Sequence, residues 1–186
     1  FDAATVEDSV IRPAVTFGAG PGQASGTFND VTFEGPVTIA ANIDQNDERL
    51  TFNDLLTING ATTLSGASLN ANVDVDGVIL TLAGTTNLGG NQINGDGSIS
   101  ASGVVSNGLL NLSGISGTAI DTTGNLTLSS INFVTGASIV NAGNHALVLD
   151  DISLAANTEI DFILQSNVSS TLSIVNTTGL SAYAKA

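Results

Sequence analysis

The sequence predicts an all-β chain wound as a parallel β-solenoid, a β-helix with coils of about 24 residues. Three observations predict it. Short segments recur at a nearly constant interval, apolar residues alternate only in brief bursts, and the composition favours strands and turns. Of the 186 residues 42% are apolar and only 11% charged, a balance that supports one continuous core and excludes a disordered polymer. With seven Phe, one Tyr and no Trp, that core must be built from Val, Ile, Leu and Ala. These stand among 21 Gly, 19 Asn, 19 Ser and 21 Thr, a mixture suited to short strands closed by turns.

The recurrence is clearest in VTFEGPVTI (31–39), LTINGATTL (56–64) and LTLAGTTNL (80–88), which share an apolar-Thr-apolar-x-Gly core with a further apolar residue after three more positions. Weaker copies begin at Leu110, Leu126, Leu147 and Leu172, and the starts are 23.5 residues apart on average. A second echo, TFND at 27–30 and again at 51–54, keeps the same interval. Each alternating burst spans three to five residues before Gly, Asn or Asp resets the chain, so several short strands are expected per repeat. Stacked one coil above another, their inward Leu, Ile and Val would form columns and the intervening Thr outward ladders.

Along the chain, residues 1–26 are expected to stand outside the repeat as an N-terminal arm or cap with a linker. They carry one alternating run, Val10 to Phe17, and then the Gly-rich stretch that starts at Gly18. Because the end coil of a solenoid exposes a strand edge, Val10, Ile11, Val15 and Phe17 are candidate residues of an arm that pairs with a neighbouring subunit. Residues 27–178 are expected to form the repeat domain and 179–186 a C-terminal tail. Phe1 in place of Met leads to the expectation of a processed N-terminus, such as removal of a signal peptide leaves, or of a fragment.

The alternative fold is an antiparallel β-sandwich. Asn59-Gly60, Asn94-Gly95, Asn107-Gly108, Asp76-Gly77 and Asp96-Gly97 are all suited to two-residue hairpins. They suit the corners of a solenoid equally well, where left-handed backbone is also needed, and a sandwich gives no reason for the recurrence.

Residues 27–90, through TFNDVTFEGPVTI, LTINGATTL and LTLAGTTNL, resemble the repeats of bacterial surface adhesins of the filamentous-haemagglutinin type. The resemblance implies a right-handed parallel β-helix of an exported Gram-negative exoprotein, serving adhesion and biofilm formation without catalysis. A start at Phe is also found in processed type IV pilins, but DAATVED (2–8) lacks their long apolar helix.

Charge narrows the partners. Seventeen acids against Arg12, Arg49 and Lys185 give a formal charge of −14, which repels nucleic acid and anionic membrane alike. No apolar run approaches the ~20 residues of a membrane span, so no membrane insertion is expected. Without cysteine there is neither a disulfide framework nor a thiolate metal site.

Few residues invite chemistry. His145 is the only histidine, and no Ser lies in a Gly-x-Ser-x-Gly turn that would make it part of a triad. Glu159 and Asp161 lie at i and i+2, on one face of a strand about 7 Å apart, a spacing compatible with paired-carboxylate hydrolysis. Yet a sugar cleft needs aromatic platforms and a lyase needs a basic group, and the chain is poor in both. The Gly-rich stretch lacks the Lys and Ser/Thr of a phosphate loop. The sequons at Asn111, Asn125, Asn167 and Asn176 are what so many Asn, Ser and Thr produce by chance.

The stretch NVDVDG (72–77) sets oxygen side chains at alternate positions before a glycine, as the first half of a calcium loop does. The twelfth position of such a loop is Ala83, which excludes the helical type. A shared acidic edge remains, since Asp47, Glu48, Asp74, Asp76, Asp96 and Asp121 recur near the repeat interval. Coils ~4.8 Å apart would bring such carboxylates close enough for calcium to bridge them, with Asp74, Asp76 and Asp96 as candidate ligands and Ca2+ as the one cofactor considered.

The expected function is therefore that of a non-enzymatic structural or adhesive protein, secreted or held at the cell surface. Its expected partners are further copies of itself in a head-to-tail homopolymer, and host or matrix glycans. The second expectation is a carbohydrate-binding or polysaccharide-cleaving β-helix. The third is a β-sandwich pilin completed by a donor strand.

Overall fold

The structure, a computed structural model, describes residues 5–17, 27–40, 43–45, 50–141, 143–164 and 170–177. Among them every regular element is a strand. In chain order these are β1 (Thr5–Glu7), β2 (Val10–Ile11), β3 (Val15–Phe17), β4 (Thr27–Asn29), β5 (Val31–Phe33), β6 (Val37–Ile39), β7 (Ile43–Gln45), β8 (Leu50–Phe52) and β9 (Leu56–Ile58). Then follow β10 (Thr62–Ser65), β11 (Ser68–Leu69), β12 (Val73–Val75), β13 (Ile79–Ala83), β14 (Thr85–Asn87) and β15 (Gln92–Gly95). Two long strands, β16 (Ser98–Leu112) and β17 (Ile120–Phe133), precede β18 (Ala137–Asn141), β19 (Ala146–Asp150), β20 (Ser153–Leu154), β21 (Ile160–Leu164) and β22 (Thr171–Val175).

Every pairing between these strands is parallel, which makes the fold a parallel β-solenoid and excludes the antiparallel sandwich. Three ladders run side by side. The first joins β7, β10, β13, the start of β16, the start of β17, β18 and β21. The second joins β2, β5, β8, β11, β14, the middle of β16 and of β17, β19 and β22. The third joins β3, β6, β9, β12, β15, the ends of β16 and β17, and β20. β1 and β4 pair with each other apart from these ladders.

The coil is about 20 residues long, shorter than the expected 24. Val31 pairs with Leu50 and Val37 with Leu56, an offset of 19. The likeness of VTFEGPVTI to LTINGATTL therefore matches β5 to β9, which belong to different ladders. Neighbouring faces carry the same apolar-Thr-apolar triplet six residues apart, as in β5 and β6 or β8 and β9, so sequence self-comparison slides one face too far. The TFND echo fails for the same reason: Thr27 pairs with Thr5, while Thr51 pairs with Thr32 and Ser68.

The triplets show why these residues make strands. In β5, β6, β8, β9 and β12 the outer two residues are buried and the middle one is half-buried, the period-two pattern of a strand with one face on a core. The buried residues form one continuous hydrophobic cluster from Val31 to Ile152. Aromatic residues concentrate near its N-terminal end. Phe33 stacks on Phe52 with ring centroids 5.2 Å apart, and Phe17 meets Phe33 edge-on at 5.9 Å. Such pairs contribute about 0.5–1.5 kcal/mol each beyond their burial.

Corners are made by left-handed residues. Gly66, Gly84 and Gly103 have φ of 63°, 71° and 88°, and Gly103 marks the register break within β16. A side chain there would also collide with the Gly84 carbonyl, so glycine is required twice over. At the next corner Asn107, Ser130, Asp151 and Asn176 adopt φ between 53° and 68°. Asn107-Gly108, a hairpin signal in isolation, thus turns a solenoid corner.

Candidate assembly edges

A solenoid has two places where its repeating interactions stop. At the C-terminal side, among the described residues, β21 pairs only with β18 and β22 only with β19. One inward column of the second ladder runs Thr86, Val105, Leu128, Leu149, Ile174 by strand register. Its members are buried until the last coil: Leu149 is 0% exposed and Ile174 43%. Alternation is unchanged at Ile174; what changes is that, among the described residues, no further coil covers it. Leu172 and Phe162, which continue the columns of Leu147 and Ile139, are likewise only partly buried.

At the N-terminal side, β2 and β3 pair with β5 and β6 at an offset of 22. Val10 lies opposite Thr32, Ile11 opposite Phe33, Val15 opposite Val37 and Phe17 opposite Ile39. The run expected to stand outside the repeat is thus part of its ladders, in register with the following coil. Val10 is 50% exposed, whereas Ile11 and Phe17 pack against the core. Arg12 Nε meets Glu34 Oε2 at 2.9 Å, an exposed ion pair that ties this turn to the next and is worth little on its own. The Gly-rich stretch 18–26 and the tail 179–186 lie outside the described residues.

Among the described residues the candidate acids take separate hydrogen-bond partners. Asp74, on β12, accepts a hydrogen bond from Asn94 Nδ2 at 3.3 Å, and Asn94 in turn accepts one from Asn111 Nδ2 at 3.4 Å. Asp76 follows at the corner, where its N–H donates to the Ile58 carbonyl. Asp96 Oδ1 accepts the Gly77 N–H at 2.6 Å. The carboxylates of Asp74 and Asp96 thus fasten one coil to the next by hydrogen bonds. Among the described residues no group of three or more His, Cys, Asp or Glu could hold a metal ion, and Asp47 and Glu48 lie outside them.

The outward ladder that Asp74 joins begins as the expected threonine stack, Thr16, Thr38 and Thr57, and continues through Asp74, Asn94 and Asn111. Glu159 and Asp161 are exposed, Asp161 opposite Ser138 on the outermost strand of the first ladder. His145 precedes β19, and its carbonyl accepts the Thr171 N–H. Nothing in the sequence marks Ile174 as exposed, since the LSIV burst (172–175) that carries it reads as one more copy of the repeat.

No protein-family model matches the chain, and neither the curated proteins nor the solved structures contain a match to it. Among the described residues no helix is long and apolar enough to cross a membrane.

Proposed function

We propose that this chain is a non-enzymatic structural or adhesive protein, secreted or displayed at a cell surface, that assembles head to tail into a filament or matrix fibre. The observation that carries the reading is the uncovered column at β22, where, among the described residues, no coil lies over an Ile174 that is 43% exposed. A second copy bringing Ile11, Val15 and Phe17 onto this last coil would continue both the apolar columns and the parallel ladders. It would also cover strand edges that are otherwise templates for unspecific pairing.

The extracellular setting is supported by the resemblance of residues 27–90 to filamentous-haemagglutinin-type repeats and by a highly acidic composition. The outward Thr, Asn and Asp side chains supply hydrogen-bonding partners for host or matrix glycans. Stiffness follows from the construction, since neighbouring coils are bound along three ladders.

Negative-stain microscopy and sedimentation of the purified chain across a concentration series test the assembly. Regular fibres or concentration-dependent oligomers are expected, and monomers at every concentration would overturn it. Release of reducing or unsaturated sugars from a polysaccharide panel would overturn the non-enzymatic reading independently.

A further inference from the structure

Between β16 and β17 the coil is interrupted by a loop, Ser113–Ala119 (SGISGTA), that leaves the ladder. Gly114, Ser116 and Gly117 all have positive φ, 79°, 54° and 82°. Ser98 holds this loop against the first ladder: its Oγ donates to the Thr118 carbonyl at 2.6 Å and accepts the Ile115 N–H at 2.7 Å. Between loop and ladder lies an open cavity of about 270 Å³ lined by Ile79, Ser100, Ile115, Asp121 and Val140 among others. Two of its walls are unusual for outward-facing positions, since Ile79 is 45% and Ile115 38% exposed.

Asp121 projects from the same ladder, opposite Ser100 on one side and Val140 on the other. Its Oδ1 is buried and accepts no hydrogen bond. A carboxylate oxygen withdrawn from water without a donor is unfavourable, and a ligand that supplies the donor would remove that cost. The surrounding chemistry selects the ligand. Apolar walls favour an alkyl stem, and a protein of charge −14 draws cations to itself. A divalent cation needs more oxygens than one carboxylate and a serine hydroxyl, the Ser98 hydroxyl being already engaged twice. A sugar would need an aromatic platform, and the cavity has none. One buried oxygen that lacks a donor matches a compact ammonium better than the two-pronged guanidinium fork, which needs both oxygens in one plane.

We infer that this cavity binds a primary alkylammonium group, its stem between Ile79 and Ile115 and its head on Asp121. A free alkylamine and a lysine side chain share this chemistry. The test is a titration of the 15N-labelled chain with n-butylammonium, with Nα-acetyl-lysine-N-methylamide and with n-butanol as the uncharged control. Shifts confined to residues around Ile79, Ile115 and Asp121 are expected, with a dissociation constant on the order of 1–10 mM. Asp121→Asn should weaken binding at least about tenfold, as loss of a charge-assisted hydrogen bond does. Ile79→Ser should weaken it while leaving Asp121 in place.

Binding of butylammonium alone would assign the site to free amines, and equal binding of the lysine derivative would assign it to a polypeptide lysine. No localised shifts with either amine, equal binding of n-butanol, or unchanged affinity in Asp121→Asn would each overturn the inference.

Discussion

Of the threonines buried in the core, Thr86 and Thr62 should respond to the same substitution with opposite signs. Thr86 is 0% exposed and its Oγ1 has no hydrogen-bond partner. Thr62, 2% exposed, donates its hydroxyl to the Gly60 carbonyl at 2.7 Å. Valine has nearly the shape of threonine, with a methyl in place of the hydroxyl. In Thr86→Val the change removes an unsatisfied polar atom whose burial costs about 1–3 kcal/mol, so stabilisation of about 1.5 kcal/mol is expected. In Thr62→Val it removes a made hydrogen bond and withdraws the donor from a carbonyl, so a loss of about 1 kcal/mol is expected. The melting midpoint of Thr86→Val should then rise by about 3–6 °C and that of Thr62→Val should fall. Urea denaturation of the two variants beside the parent measures the difference. Destabilisation of Thr86→Val as large as that of Thr62→Val would refute the reasoning, because it would show that Thr86 gains something from its hydroxyl in the fold.

Further outcomes follow from corners and ends. Gly103→Ala should cost more than about 2 kcal/mol in urea unfolding, because φ is +88° there and the added methyl meets the Gly84 carbonyl. Asp96→Ala should cost about 1 kcal/mol by the same measurement, through loss of its bond to the Gly77 N–H. Since Asp74 and Asp96 are engaged in hydrogen bonds between coils, exchange of calcium for chelator should leave the melting midpoint unchanged, and a calcium-dependent rise would show that ions bridge the coils. Ile174→Asp should abolish end-to-end association in sedimentation while costing the isolated chain about 1–2 kcal/mol in urea, the apolar burial given up by a side chain more than half covered over Leu149.

The solenoid was legible because its physics is local. Val31-Thr-Phe33 and Leu56-Thr-Ile58 each display a buried-outward-buried triplet, and a Gly, Asn or Asp nearby announces the turn. Coil length was not legible, because Leu56-Thr-Ile58 resembles Val31-Thr-Phe33 nearly as closely as the true stacking partner, Leu50-Thr-Phe52, does. Gly60 then repeats Gly35 where Asp54 does not, so the longer match favours the wrong face. Only hydrogen-bond register separates Leu50 from Leu56 as the neighbour of Val31. The later copies at Leu126, Leu147 and Leu172 do stack on one another, since there the best sequence match and the register agree.

Sites were less legible than strands for a related reason. Leu149 and Ile174 occupy equivalent places in their bursts, and their exposures differ because one has a described coil beyond it. Likewise the recurrence of acids near a fixed interval placed Asp96 and Asp121 on one edge. The register instead puts Asp121 within a strand between Ser100 and Val140, while Asp96 turns a corner beside Gly77.

The offsets between stacked strands also vary along the chain. They are 22 residues between β2 and β5, fall to 17 between β9 and β12, and reach 25 between β19 and β22. Since each coil climbs by the same inter-strand spacing of about 4.8 Å, the rod carries less mass per unit length between β9 and β12 than between β2 and β5 or between β19 and β22. Heavy ends would meet heavy ends in a polymer of this chain. Fibres of the proposed head-to-tail kind should therefore show a regular beading in scattering contrast, with one thin band for every subunit.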